Sequence, residues 1–301
     1  MLKKSILIEN KSKLTCKNLQ LLINNDTREA SIPIEDIGFI VIDHPEVYIS
    51  MSAINLLIEN NAAVIICNAT HLPNGMFLNL NSHHIQQEIF KNQMEASVPL
   101  KKQLWQQTMI EKITNQGILL ETITGQKNHF KFLAEKVQSG DTSNMEAVAA
   151  SRYWKSLFNQ NEVEKSIDFK RERFGNYPNN FLNYGYAILR AATARALSGS
   201  GLLNTLGIHH KSKYNAFALA DDIMEPFRPI VDEIVLHIIN NYDEQELNTE
   251  IKSEILSILT RTVYFKNEKS PLMVALQKTA SSLQQCYSGK RKKIKYPKLW
   301  N

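Results

Sequence analysis

The sequence predicts an α+β protein, with a β-rich N-terminal domain over residues 1–80 and an all-helical domain over residues 81–301. Three observations carry this. Short apolar and β-branched runs separated by turn residues crowd the first 80 positions. From Gln86 onward the apolar residues recur at helical spacing. Between them, around residues 74–84, Asn74, Gly75, Asn79, Asn81 and Ser82 collect in a stretch that reads as a linker.

The elements follow in order. Ser5–Ile8, Lys13–Cys16, Leu19–Ile23, Ala30–Ile34 and Ile37–Asp43 are five strand signals. Their close spacing predicts a mostly antiparallel sheet or sandwich. Ser52–Glu59 reads as a short helix and Ala62–Asn68 as a buried strand. His44, His71, His83 and His84 lie near turn signals and read as solvated. Pro99 marks a boundary or kink between two helices. Asp141, Thr142 and Ser143 are alternative caps for a helix running through Trp154, and Glu146 in its first turn suits the helix dipole. Asn180 reads as the cap of Phe181–Arg190, with Asn183 and Tyr184 about one turn in as possible positioning groups. If buried, these polar side chains need partners. Asn215–Asn241, Asp243–Thr262 and Pro271–Gln285 carry Leu, Ile and Val stripes that read as core.

Composition narrows the class. The apolar fraction is 43% and the charged fraction 22%, ordinary values for a soluble globular chain. No apolar run is long enough to span a bilayer, and Glu9 comes too soon for a signal sequence, so the expected location is cytoplasmic. Cys16, Cys67 and Cys286 are too scattered for a disulfide framework or zinc cluster. No glycine-rich phosphate loop or dinucleotide fingerprint is present. The net charge is +5, yet Lys290, Arg291, Lys292, Lys293, Lys295 and Lys298 place six positive charges in residues 290–301 without an acid, leaving −1 for the rest. Such a basic tail is suited to phosphates, or simply to solubility.

The densest set of reactive side chains runs from Gly207 to Pro229. Asp222 and Glu225 are three apart, which puts both carboxylates on one helix face. Pro226 and Pro229 restrict that backbone to a helix start or a kink. His210 precedes the two acids by 12 and 15 residues, enough for a loop to fold back onto them. Two carboxylates, an imidazole and open positions suit Mg²⁺ or Mn²⁺ better than structural zinc. Lys211, Lys213 and Arg228 are placed to neutralise phosphates. The plainer alternative is a solvated His-His loop and an acid-rich helix start, with Arg228 paired to Asp232.

Several motifs, taken together and in order, carry a resemblance. They are Leu100-Lys101-Lys102-Gln103-Leu104-Trp105, Asn144-Met145-Glu146-Ala147, Pro178-Asn179-Asn180-Phe181-Leu182-Asn183-Tyr184-Gly185-Tyr186, Leu206-Gly207-Ile208-His209-His210 and Asp222-Ile223-Met224-Glu225-Pro226-Phe227-Arg228-Pro229. The sequence resembles the CRISPR-associated integrase family over essentially its whole length, and is most similar to the type II branch. The resemblance implies a metal-dependent DNA endonuclease and integrase that inserts spacers into CRISPR arrays by 3′-OH transesterification. It implies metal ligands Glu146, His210 and Glu225, with His209 as alternative to His210 and Asp222 as an extra ligand or neighbour. By the same resemblance, the acid at Glu225 corresponds to an aspartate in other branches of the family. The implied partners are double-stranded DNA (spacer precursor and repeat), a second copy of the chain, a small ferredoxin-like companion and other CRISPR proteins. The residues alone leave open a non-catalytic DNA-bridging protein and a metal-dependent phosphoesterase acting on other nucleic acids.

Overall fold

A computed structural model describes residues 3–79, 83–158, 169–172, 175–266 and 268–300. The N-terminal part holds strands β1 (Lys4–Ile8), β2 (Ser12–Lys17), β3 (Gln20–Asn24), β4 (Glu29–Pro33), β5 (Ile37–Ile42) and β6 (Val47–Ile49), helix α1 (Met51–Glu59), and strands β7 (Ala63–Cys67) and β8 (Pro73–Phe77). All five strand signals, the short helix and the buried strand read from the sequence are present.

Their pairing meets the expectation only in part: β2–β3 and β3–β4 are antiparallel hairpins, whereas β2–β6 is parallel. The strands form two sheets, ordered β1-β5-β7-β8 and β4-β3-β2-β6. In the first, β1–β5 and β5–β7 are parallel and only β7–β8 is antiparallel. Short spacing implied hairpins, but β1 and β2 lie in different sheets, and the chain runs through the second sheet before returning as β5. The strand β5 is buried along its whole length, as a central parallel strand should be. Its side chains alternate: Ile40 and Ile42 join Leu14, Leu21 and Leu57 on one side, while Phe39 and Val41 join the helical core on the other. One sheet therefore serves two cores. Asn74 and Gly75 belong to β8 and not to a linker, while Asn81 and Ser82 lie outside the described residues.

The second part holds α2 (Gln86–Met94), α3 (Val98–Thr124), α4 (Phe130–Glu135), α5 (Met145–Phe158), α6 (Asn179–Gly199), α7 (Ala218–Met224), α8 (Arg228–Asn241) and α9 (Thr249–Leu256). It ends with β9 (Thr262–Phe265), β10 (Glu268–Pro271) and α10 (Leu272–Tyr287). The antiparallel β9–β10 hairpin corrects the expectation of an all-helical domain. Pro99 falls in the first turn of α3, where its missing N–H costs nothing, and marks the predicted boundary. Ser97 Oγ accepts from the Leu100 N–H at 3.3 Å, and Gly125, at φ 65°, ends the helix.

Residues 290–300 are not a free tail. Ile294 and Leu299 are buried, Gln107 of α3 accepts from the Ile294 N–H at 2.9 Å, and Lys298 pairs with Tyr264 of β9. The segment is a strap across the helical domain, with Lys290, Arg291, Lys292 and Lys293 exposed on its outer side. Among the described residues no helix is long and apolar enough to cross a membrane.

Candidate active site

The long helix α3 carries a buried stripe of Leu104, Trp105, Met109, Ile113 and Leu120, and Lys112 lies within it. A lysine in such a stripe needs a counter-charge. Lys112 Nζ has two: Glu146 Oε1 at 2.6 Å and Glu225 Oε2 at 2.7 Å. Burial alone would lower the ammonium's pKa, but Glu225 and Glu146 outweigh it and raise it above the usual value.

Each carboxylate is placed by its own local structure. Asp141 accepts from the Met145 and Glu146 N–H groups at 2.9 and 3.0 Å, so it caps α5 and sets Glu146 in the first turn. Glu225 lies in a 3₁₀ turn, Glu225–Phe227, between α7 and α8. Pro226 and Pro229 stand in the first turns of that element and of α8, which explains why the predicted Asn215–Asn241 helix is divided. Buried Asn115 of α3 donates to the Pro226 carbonyl at 2.8 Å, tying the turn to the helix that carries Lys112. Burial alone would raise the Glu225 carboxyl's pKa, but Arg228 and Lys112 hold it below the usual range. Arg228 Nε lies 3.4 Å from Glu225 Oε1, and its guanidinium covers the Tyr186 ring. Arg228 makes its ion-pair contact with Glu225 and reaches Asp232, the partner considered above, only as a nearby charge. Asp232 instead accepts from Tyr153 at 2.7 Å and from Tyr186, and burial pushes its carboxyl up to about 6.

Asp222 has a different task from Glu225. Fully buried, it accepts from the N–H groups of Ile208, His209 and His210 at 2.6, 2.9 and 3.2 Å. Its Oδ1 also meets His210 Nδ1 at 2.6 Å. Gly207 permits this approach: a Cβ there would stand 2.8 Å from Asp222 Oδ2 and 2.5 Å from the His210 carbonyl. Upstream, buried Gln93 of α2 donates to the Leu203 and Leu206 carbonyls. The loop is thus clamped at both ends. With Nδ1 occupied, Nε2 is the nitrogen His210 can offer a ligand, and the Asp222 hydrogen bond holds the imidazole's pKa above its usual value. His209 stacks on Trp105 at 4.3 Å between ring centroids.

The donor chemistry matches a hard divalent cation: two carboxylates on one ammonium position, with an imidazole electrostatically coupled to Glu225. As the side chains stand, no group of three or more His, Cys, Asp and Glu residues among the described residues is placed to hold a metal ion. Beside His209, a cleft of about 250 Å³ is lined by Val98, Lys101, Lys102, Trp105, Gly140, Ile208, His209 and Lys211.

Other sequence-derived candidates are less central. Lys213 is exposed and covers the Tyr214 ring. Asn180 does not cap α6, which begins a residue earlier; it donates to the Gln245 carbonyl at 2.8 Å. Asn183 accepts from Arg171 at 2.7 Å. Tyr184 is buried toward Cys67, Asp43 and Glu9, at the strand-rich part. Asp221 is engaged by Arg190 at 2.6 Å. Lys112, which contacts both acids, carries no site reading in the sequence. The available signal was a charged residue inside an apolar helical stripe.

A strand-rich part joined to a helical part by a shared sheet is the fold of a class of CRISPR-associated and casposase proteins. The chain superposes on a casposase bound to integration product with TM-score 0.78 at 21% identity, covering 97% of this chain and 92% of that one. A Cas1 protein from Thermotoga maritima matches with TM-score 0.75 at 20% identity, covering 95% and 97%. A chain of a Cas6-RT-Cas1–Cas2 complex matches with TM-score 0.72 at 21% identity, covering 99% of this chain and 36% of that one. These likenesses show the fold. The chain belongs to the Cas1 family: residues 6–266 match the family described as CRISPR associated protein Cas1. It is 36% identical to the CRISPR-associated endonuclease Cas1 of Neisseria meningitidis, over 98% of this chain and 96% of the relative.

Proposed function

We propose that the protein is a divalent-metal-dependent DNA endonuclease and integrase of CRISPR adaptation, joining DNA with free 3′-OH ends to repeat borders. One observation carries the reading: Glu146 and Glu225, from separate segments, converge on the single Lys112 ammonium, and an imidazole oriented by Asp222 is electrostatically coupled to Glu225. Its membership of the Cas1 family and the fold shared with a casposase bound to integration product support the same class of chemistry.

When bound by Glu146, Glu225 and His210 Nε2, Mg²⁺ or Mn²⁺ supplies Lewis-acid polarisation of a phosphodiester and charge stabilisation of its leaving oxygen. Asp222 keeps the imidazole in the tautomer that presents Nε2. Arg228 offsets the Glu225 charge. Lys101, Lys102 and Lys211 line the adjoining cleft and receive backbone phosphates. The attacking 3′-oxygen forms a new P–O bond as the repeat strand's own 3′-oxygen leaves, so one phosphodiester replaces another. With water as nucleophile the same site cleaves DNA. The exposed basic row Lys290–Lys293, with Lys213, adds salt-sensitive affinity for the duplex. The strand-rich part, which exposes Leu19, Tyr48 and Met51, is the homodimerisation surface. A small ferredoxin-like protein is the companion; the fold shared with a chain of a Cas6-RT-Cas1–Cas2 complex supports a CRISPR protein partner.

The test combines 3′-OH duplexes, repeat-bearing plasmid and Mn²⁺ or Mg²⁺. Joined products should appear with the wild type and fall about a thousandfold in Glu146→Ala, His210→Ala and Glu225→Ala. Products surviving all three changes would overturn the assignment. DNA bridging without products would mark a structural protein, and activity on free nucleotides alone a different phosphoesterase.

A further inference from the structure

We infer that Lys112 is the resident cation of the Glu146–Glu225 pair and makes divalent-ion binding depend on bound DNA. This rests on the ligand reading proposed above. The Lys112 ammonium touches both carboxylates, at 2.6 and 2.7 Å, from the buried face of α3. It occupies the point on which the two acids converge. Arg228 adds a second positive charge against Glu225. The two carboxylates are therefore already matched by two fixed cations. Asp222 does not alter this balance at the pair, because three backbone N–H groups and His210 Nδ1 engage its oxygens.

A divalent ion entering this cluster alone adds charge to a group that has none to spare, in a place where uncompensated charge is costly. It must also displace an ammonium from at least one carboxylate. A DNA phosphate changes both terms. It brings negative charge and contributes oxygen ligands, which Mg²⁺ takes readily beside one or two carboxylates. Ion and DNA then bind together, each raising the other's affinity. Glu146 is the carboxylate able to let go, since its side chain is 34% exposed against 5% for Glu225. Such a lysine keeps the acidic pair assembled before substrate arrives, and keeps the site from holding a cleavage-competent ion in the absence of DNA.

The experiment is Mn²⁺ titration of the full chain by electron paramagnetic resonance and calorimetry, with and without a 3′-OH duplex. For the wild type, duplex should tighten Mn²⁺ binding by about tenfold or more. Lys112→Met should bind Mn²⁺ without DNA about tenfold tighter than wild type and lose most of the duplex effect, whereas Lys112→Arg should keep it. Lys112→Gln carries the same expectation if the Met variant does not fold, as judged by circular dichroism. Equal wild-type affinity with and without duplex overturns the inference. So does a folded Lys112→Met or Lys112→Gln that binds Mn²⁺ no more tightly than wild type. Glu146→Gln and Glu225→Gln separate the two readings. Loss of Mn²⁺ binding in both, without tightening at Lys112, overturns only this inference; retention in both overturns the ligand reading with it.

Discussion

Two buried lysines each bridge a pair of carboxylates in this protein, and their surroundings give them opposite roles. Lys252, on α9, lies 2.6 Å from Asp43 and 2.8 Å from Glu9, both in the strand-rich part. Asp43's other oxygen meets His71 Nδ1 at 2.9 Å, and His71 is exposed, as its turn context implied. Burial with Asp43 nearby pushes the neighbouring Cys67 thiol up to about 12, too high for a nucleophile at neutral pH. Lys252 engages one oxygen of each acid from the helical part, and the contact fastens the two parts of the chain. Lys112 bridges two acids of the helical part, one of them a third exposed, beside a half-exposed imidazole and a lysine-lined cleft. The same ion-pair chemistry is a rivet where it is closed and a site where one edge is open.

That contrast can be broken most severely by removing one member at each place. Glu225→Ala should remove about a thousandfold of activity. Lys252→Met should leave buried Asp43 and partly buried Glu9 without this counter-charge and cost about 3–5 kcal/mol of stability, read from urea unfolding. Unchanged stability would mean that water compensates the joint. Asp222→Asn tests the oriented imidazole: Mn²⁺ affinity should fall about 10–100-fold. The exposed strap lysines should matter less. Replacing Lys290, Arg291, Lys292 and Lys293 together by Ala should weaken DNA binding several-fold and flatten its salt dependence by up to about 0.9 per lost phosphate contact. Unfolding should hardly change. Deleting residues 290–301 is a different perturbation, because it strips Ile294 and Leu299 from the core, and should destabilise the fold.

The smallest effect is in pH. Burial opposes the Lys252 charge, but Asp43 and Glu9 raise its folded-state pKa above the ordinary 10.5. Its contribution to stability is therefore complete below pH 10.5 and is lost as pH rises through the folded value. Alkaline unfolding curves of wild type and Lys252→Met should converge above that value. Parallel curves would assign the alkaline loss to other groups.

The elements of the first 70 residues were legible because turn residues bracket β-branched runs, and so were the antiparallel β2–β3 and β3–β4 pairings, but the parallel partners were not. Strand pairing depends on which runs are brought side by side, and β1 pairs with β5 across the intervening second sheet. Glu146, His210 and Glu225 were legible through a resemblance carried by their motifs, whereas spacing alone favoured a dipole-matching acid for Glu146. Lys112 left only a weak trace, since one charge in an apolar stripe becomes informative only when its counter-ions are known. Asp222 and Glu225 looked equivalent at a spacing of three, but the Pro226 turn sends them to different partners.

By itself the sequence determined the order of elements, the division between strand-rich and helical parts and the two helices meeting at Pro99. These rest on local propensity and on residue identity, which neighbours in the chain suffice to express. Only the tertiary structure decided that the basic end is a packed strap and that Asp222 clamps the histidine loop. It alone placed a lysine from α3 between carboxylates 34 residues later in one case and 113 in the other, counted along the chain from Lys112. Burial and charge pairing act through space, and no periodicity along the chain encodes the distance between side chains so far apart.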